Sequence, residues 1–173
     1  MTLRIGPSVR RSSAPTPWGD LCFVVDDQDV VVESWFGSLD DPREVDSDDA
    51  RIVTVKVVPE VHQSVQAWLD GELDAILRVS VMDRGGSFQL SARKAMRGIR
   101  GGTVLSYAQL AAAAGSPRAV RAAGTACARN HVAPFIPCHR VVGSNGSLGG
   151  YAYGLEMKRS LLAHEGVMEF SVR

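Results

Sequence analysis

Runs of apolar residues divide the first half of the chain into short strands. Residues 21–25 and 30–32 are β-rich runs separated by the acidic stretch 26–29, and this pattern predicts a hairpin. Residues 52–58 predict another strand, which the proline at position 59 stops, and residues 79–81 could form one more. An antiparallel sheet is therefore expected in this half.

Helical periodicity appears first over residues 61–69, where apolar positions recur at the spacing of a short amphipathic helix. Residues 88–99 predict a second helix, and the composition changes just before it. We therefore expect an α/β (α+β) chain in three parts. These are a disordered, Pro- and Ser-rich arm over 1–15, an N-terminal α/β support domain over 16–83, and a mainly helical domain over 84–173.

Two short helices joined by a tight turn are predicted in the middle of the second half. Ser106 and Gln109 match a capping box at the start of the first helix, which should end at Gly115. Ser116 as N-cap and Pro117 at the first helical position should start the next helix immediately. Two helices arranged in this way form a helix-turn-helix, although many helical hairpins bind nothing.

The second of these helices has a basic face and an apolar face at about 100° per residue. Val120, Ala123 and Cys127 fall on the apolar side, and Cys127 is expected to be structural. The basic side could be a solvated surface, or it could lie against a DNA phosphate backbone. The basic face consists of Arg118, Arg121, Ala122, Thr125 and Arg129.

The charge balance favours the interpretation that involves DNA. The net charge is zero, but residues 1–83 hold 16 acidic and 7 basic side chains while residues 84–173 hold 3 and 12. A net of −9 against +9 predicts that the second half faces nucleic acid. The 45% hydrophobic share predicts a globular protein, and neither a membrane span nor a signal peptide is apparent.

Cys138 is the candidate nucleophile, because His139 and Arg140 follow it directly. The thiolate is the reactive form of cysteine, and neighbouring cationic or proton-accepting groups promote it. The alternative is a buried structural cysteine. The three cysteines have neither disulfide-framework nor zinc-site spacing, so no metal is expected, and a free thiol suits a reducing cytoplasm.

Residues 88–166 contain a set of short segments in a characteristic order and spacing. The segments are Phe88-Gln89, Ser106-Tyr107, Gly115-x-Pro117, Arg121-x-x-Gly124, Asn130, Pro137-Cys138-His139-Arg140, Gly150-Tyr151 and Leu161-Leu162-x-x-Glu165-Gly166. As a set they resemble the O6-alkylguanine-DNA alkyltransferases, the methylated-DNA–protein-cysteine methyltransferases.

The resemblance implies direct repair of O6-alkylguanine, and of O4-alkylthymine, by irreversible transfer of the alkyl group to the protein. The partner would be double-stranded DNA entered from the minor groove, with the base flipped out. The resemblance implies no cofactor, and we expect a monomer that associates with the nucleoid when bound to DNA.

The resemblance also implies roles for individual side chains. Cys138 would accept the alkyl group, His139 would take its proton through a water molecule, and Glu165 would orient that histidine. Tyr107 would push on the phosphate of the target nucleotide and could donate to the base, while Asn130 would brace the cysteine turn.

Further residues are assigned to DNA binding and to the pocket by the same resemblance. Arg121 matches the arginine that fills the gap left by the flipped base, and Arg140 would tie together the structure beneath the cysteine. The pocket wall would consist of Pro137, Val141, Val142, Ser144, Gly149, Tyr151 and Tyr153.

Several positions depart from the family pattern. Arg93 replaces a bulky aromatic residue, and with Arg100 it adds positive charge that could help DNA binding or could be solvated. His131 and Ala133 replace two prolines that would stiffen the cysteine turn. Tyr153 stands where some members have glycine, and we hypothesise that its ring disfavours bulky adducts such as benzyl groups.

Three other classes of function compete with repair. A sensor that binds alkylated DNA without removing the lesion would lack an acceptor thiol, and Cys138 argues against it. A cysteine hydrolase would have no use for an arginine-faced helix pair, and the adjacent Cys138 and His139 cannot easily face each other. A transcription factor is weakened by the absence of a ligand-binding or dimerisation segment.

Overall fold

The computed structural model describes residues 8–41 and 51–169 of the 173-residue chain. A four-stranded sheet in the order β3-β2-β1-β4 forms the N-terminal part. The β1–β2 and β2–β3 pairs are antiparallel, and β4 joins the edge of the sheet parallel to β1. The strands are β1 (Ser8–Thr16), β2 (Gly19–Val25), β3 (Val31–Phe36) and β4 (Arg51–Thr54).

The hairpin of β2 and β3 confirms the sequence prediction, whereas the prediction of a disordered arm is wrong over residues 8–15. Residues 1–7 of that arm lie outside the described residues. β1 is ordered because β2 and β4 pair with it on both sides, and Val9 is fully buried beneath them. The predicted strand over 52–58 ends early, at Thr54.

The part of the chain described has five α-helices, and none of them is long and apolar enough to cross a membrane. The first two confirm the predicted helices, although the second ends two residues early. The prediction of a strand over residues 79–81 is wrong, because a 3₁₀ turn precedes it and Val81 makes only an isolated bridge to Val31. The helices are α1 (Pro59–Leu69), α2 (Ser87–Arg97), α3 (Tyr107–Ala113), α4 (Val120–Ala128) and α5 (Leu155–His164).

The capping box of α3 forms as predicted. The Gln109 amide donates to Ser106 Oγ at 3.1 Å, and the Ser106 amide donates to Gln109 Oε1 at 2.8 Å. The predicted start of α4 at Ser116 is wrong, because Ala119, with φ −88° and ψ 38°, interrupts the helical path before Val120. Val120, predicted to face inward, is instead 39% exposed at this end of the helix.

One buried cluster runs through both halves of the chain and includes Leu21 of β2, Trp68 of α1, Leu110 of α3 and Leu161 of α5. The proposed domain boundary near residue 84 stays a prediction. A second, two-stranded parallel sheet pairs β5 (Leu105–Ser106) with β6 (Val141–Val142). This pairing brings the start of α3 beside the segment that follows Cys138.

Candidate active site

Cys138 opens a 3₁₀ turn between the buried segment 132–137 and β6, and the residue is only 6% exposed. Asn130 Nδ2 donates to Cys138 Sγ at 3.1 Å and to the Ile136 carbonyl at 2.7 Å. The Val132 amide donates to Asn130 Oδ1 at 3.2 Å. Asn130 therefore holds the turn from both sides and contacts the sulfur directly.

A buried charged cluster lies beneath the thiol, formed by His139, Arg140 and Glu165. His139 Nε2 lies 3.2 Å from Glu165 Oε1, and Arg140 donates to both carboxylate oxygens at 2.8 and 2.7 Å. All three side chains are fully buried. His139 Nδ1 is buried without a hydrogen-bond partner among the described residues. We therefore assign the proton to Nε2, facing the carboxylate, which leaves Nδ1 as the basic nitrogen.

Burial and charge set the ionisation of this cluster. Burial alone would raise the pKa of Glu165, but the hydrogen bonds and charges of His139 and Arg140 lower it to about 2. Burial lowers the pKa of His139, although Glu165 opposes the effect. At neutral pH the cluster therefore holds an ionised Glu165, neutralised by Arg140, next to a neutral imidazole.

Burial raises the pKa of the Cys138 thiol. The Asn130 hydrogen bond and the positive charges of Lys158 and Arg93 act in the opposite direction. A thiol held in this way is protonated at rest and becomes nucleophilic when a base takes its proton.

Lys158 is a functional candidate that sequence reasoning missed. Its fully buried ammonium group donates to the carbonyls of Val141, Leu148 and Gly150 at 2.5, 2.5 and 3.2 Å. The nitrogen also lies 5.9 Å from the centre of the Tyr107 ring. It thus ties α5 to both ends of the glycine-rich loop over residues 143–150. A lysine on a surface helix gives no sequence signal of such burial.

A pocket of about 400 Å³ opens beside Cys138. Among the predicted wall residues, Tyr151 and Tyr153 line it. The remaining predicted wall residues do not belong to its lining, namely Pro137, Val141, Val142, Ser144 and Gly149. The lining consists of Tyr107, Gly124, Cys127, Ala128, Asn130, Ala133, Cys138, Gly150, Tyr151, Ala152 and Tyr153.

Four of these residues have their side chains or backbone elsewhere in the fold. Val141 and Val142 are buried in β6, where their side chains join hydrophobic clusters, and Ser144 is exposed. Gly149 packs on Tyr107 instead, because a Cβ atom there would lie 2.5 Å from the tyrosine hydroxyl. Gly149 also has a φ of 69°, in the left-handed region that favours glycine.

Two tyrosines form an aromatic side of the pocket. The rings of Tyr151 and Tyr153 are 5.6 Å apart, and Tyr153 also meets Phe36 of β3 edge-to-face at 5.4 Å. The Tyr151 hydroxyl is buried with no hydrogen-bond partner within the described residues. The N-terminal sheet therefore supports the pocket wall, and one polar group in that wall is available to a ligand.

The cysteines are all free thiols. Cys22 is fully buried in β2. Cys127, which is expected to be structural, is half-buried and lines the pocket. Within residues 8–41 and 51–169, no group of three or more His, Cys, Asp or Glu side chains is arranged to hold a metal ion.

The residues predicted to contact DNA lie on and around α4. Arg121 and Thr125 are exposed on the helix, and Ala122 is half-buried between them. Arg118 precedes the helix and Arg129 caps its end, so these two exposed arginines flank the helix rather than belong to it. Three exposed arginines therefore surround the face next to the pocket-lining residues of α4.

The two added arginines form salt bridges within the protein. Arg93 is 1% exposed and donates to Asp83 Oδ1 at 2.9 Å, so the expectation that it binds DNA or is solvated is wrong. Arg100 is exposed but pairs with Asp74 at 3.0 Å. Arg93 therefore forms a largely buried ion pair with Asp83 within the fold.

The segment that contains His131 and Ala133 is held by hydrogen bonds. The Ser34 amide of β3 donates to the His131 carbonyl at 2.8 Å, and the Ser34 hydroxyl donates to the Ala133 carbonyl at the same distance. His131 Nε2 also lies 3.2 Å from the Met82 carbonyl. The sheet therefore restrains the backbone that leads to Cys138.

One pocket thus combines a thiol, a buried His–Glu–Arg cluster and a helix with exposed arginines on and beside it. This combination defines a class of protein that would use a thiol on DNA. The sequence profile of the 6-O-methylguanine DNA methyltransferase DNA-binding domain matches residues 87–167. A methylated-DNA–protein-cysteine methyltransferase of Methanosarcina acetivorans is 36% identical over 124 residues, covering 72% of this chain and 79% of the relative. The chain therefore belongs to the 6-O-methylguanine DNA methyltransferase family.

The extent of similarity differs among relatives. The methyltransferase of Kluyveromyces lactis is 47% identical over 81 residues, but this match covers only 47% of the chain and 43% of the yeast protein. The crystal structure of Mycobacterium tuberculosis OGT in complex with DNA superimposes with a TM-score of 0.76 at 29% identity. That superposition covers 90% of this chain and 92% of the other, so the fold is shared across both halves.

Proposed function

We propose that this chain is a methylated-DNA–[protein]-cysteine S-methyltransferase that repairs O6-alkylguanine in DNA, and O4-alkylthymine with it. The observation that carries the proposal is the position of Cys138, which faces a pocket of about 400 Å³ above the buried His139 and Glu165. Double-stranded DNA carrying the lesion is the partner. Family membership and the shared fold with a DNA-bound relative support the assignment.

The reaction is a displacement at the alkyl carbon. A bond forms between Cys138 Sγ and that carbon while the bond from the carbon to the guanine oxygen breaks, and the electron pair goes to the guanine ring. His139 Nδ1 takes the thiol proton through water, since no direct hydrogen bond joins it to the sulfur. Tyr107 donates the proton that the departing guanine needs, and the proton held by His139 returns through water to the Tyr107 oxygen. Cys138 ends as a thioether, so each molecule acts once.

The arrangement of charges suits this reaction. The buried thiol needs a base, and the neutral His139, oriented by Glu165, is available to provide one. Lys158 adds a fixed positive charge that stabilises the thiolate as it forms. These interactions exist before DNA binds, so little reorganisation is needed at the moment of transfer.

DNA would be held by the exposed side of α4. Arg121 would enter the minor groove and occupy the gap left by the flipped base, while Arg118 and Arg129 would contact phosphates on either side. Ala122 and Thr125 are small enough to let the helix backbone approach the DNA. The excess of basic residues after position 84 provides the longer-range attraction. A monomer in the cytoplasm, associated with the nucleoid when bound, fits this role.

Intact and peptide mass spectrometry tests the proposal directly. The protein is mixed with a duplex that contains one O6-methylguanine, and one methyl mass should appear on the Cys138 peptide and saturate at one per protein. Cys138→Ala should bind the duplex and gain no mass, and Cys127→Ala should still be methylated. Tight binding by the wild-type protein with no change in mass would identify a lesion sensor instead.

A further inference from the structure

We propose that Trp68, in the N-terminal half, is a positioning residue for the transfer reaction, because its indole N–H holds and partly neutralises the carboxylate of Glu165. This inference rests on the proposed function. It gives the N-terminal half a direct part in the chemistry, in addition to its support of the fold.

The contact is a buried hydrogen bond between distant parts of the chain. Trp68 Nε1 donates to Glu165 Oε1 at 3.1 Å, and neither residue is more than 2% exposed. Trp68 is held from two other directions. Its carbonyl lies 3.0 Å from His164 Nε2, and its ring packs against Trp18 at 5.3 Å. The indole therefore has little freedom to leave the carboxylate.

This bond changes how Glu165 acts on His139. Oε1 of Glu165 contacts Trp68, His139 and Arg140 together, so three donors share the charge of one oxygen. Each donor withdraws part of that charge, and the carboxylate then pulls less strongly on the imidazole. The indole thereby favours the neutral imidazole that transfer requires.

Loss of the indole N–H should have the opposite effect. The bond from His139 to Glu165 would strengthen, the imidazolium would be favoured, and His139 would become neutral only at higher pH. The other titratable or charged groups around this pair remain in place when the indole is changed. They are Cys138, Arg140, Tyr151, Lys158 and His164, with Asp74 beyond Arg140.

The test compares two tryptophans of the same aromatic cluster. Trp68→Phe removes the donor to Glu165, whereas Trp18→Phe removes an indole whose Nε1 donates to Ser160 Oγ at 2.8 Å. The rate constant of methyl transfer from a duplex with one O6-methylguanine is measured between pH 5 and pH 9. Trp68→Phe should be about tenfold slower at pH 5.5 and about threefold slower at pH 8, with its acidic limb at higher pH. Trp18→Phe should keep the wild-type pH profile.

A second variant covers a failure of Trp68→Phe to fold. Site-specific replacement of Trp68 by benzothienylalanine keeps the shape of the ring but puts sulfur in place of the N–H, and it should show the same displaced acidic limb. If either folded variant is slowed equally at every pH, Trp68 only packs and the inference is wrong. If the wild-type protein transfers no methyl group, the failure lies with the proposed function.

Discussion

The cluster beneath Cys138 and the pocket beside it are neighbours, but they differ in whether their polar groups are paired within the protein. In the cluster, His139, Arg140 and Glu165 are fully buried and the ionised Glu165 is paired with Arg140. In the pocket, the Tyr151 hydroxyl has no hydrogen-bond partner among the described residues. The groups that transfer the proton are therefore positioned by folding. The polar group of the pocket, by contrast, gains a partner only when a ligand binds.

The largest expected effect comes from removing a charge from the buried cluster. Glu165→Gln would leave the buried Arg140 guanidinium with only the partly exposed Asp74, 3.6 Å away, as a counter-charge. The free energy of unfolding should fall by about 3–5 kcal/mol. Urea denaturation of the wild-type and variant proteins measures this difference. Glu156→Gln is the matched control, because its pair with Arg159 is exposed and should contribute less than about 1 kcal/mol. Equal losses in the two variants would contradict the importance of burial.

Acid should break the same pair without a mutation. The pKa of Glu165 is about 2 in the folded protein against an ordinary 4.5, so its contribution to stability is complete above pH 4.5 and disappears as the pH falls towards 2. Between pH 6 and pH 2 the wild-type protein should therefore lose about 3 kcal/mol more than Glu165→Gln does. Urea titrations at both pH values provide the measurement, and parallel losses would show that another carboxylate is responsible.

A substitution on the exposed face of α4 should affect function without affecting stability. Arg121→Ala removes an exposed side chain, so the free energy of unfolding should change by less than about 0.5 kcal/mol. Methyl transfer from duplex DNA should nevertheless slow by about tenfold or more, because nothing then fills the gap left by the flipped base. Transfer from a free O6-methylguanine base should be unchanged. Arg159→Ala, an exposed arginine on α5, serves as the control and should transfer at the wild-type rate.

The smallest effect concerns the shape of the pocket. Tyr153→Gly removes the ring that packs between Tyr151 and Phe36 and should widen the rim. Reaction with free O6-benzylguanine should become faster by about threefold to tenfold, while methyl transfer from DNA changes little. Intact mass spectrometry follows both reactions. An unchanged benzyl rate would contradict the hypothesis that Tyr153 excludes bulky adducts.

Local sequence signals predicted local structure well. The capping box of Ser106 and Gln109, the hairpin of β2 and β3, and α1 all depend on residues close together in the chain. The error over residues 8–15 arose because the decisive partners are distant in the chain. The Pro- and Ser-rich residues 8–15 form a strand only because β2 and β4 pair with them, and no short-range pattern indicates that pairing.

The site residues show the same division between local sequence signals and distant partners. The adjacent Cys138 and His139, with Asn130 and Glu165 at the family's spacing, could be identified from the sequence by resemblance. Lys158 could not, because a lysine on an amphipathic helix normally reaches solvent. Its burial depends on three carbonyls of a folded loop.

The sequence by itself determined the chemical groups of this protein and the order of its elements, because residue type and periodicity act over a few neighbouring positions. Only the tertiary structure decided which of those groups are buried together. Trp68 and Glu165 are separated by most of the chain, yet a single hydrogen bond joins them in the interior. Burial and charge pairing depend on distances in space, and those distances exist only after the sheet and the helices have packed around one core.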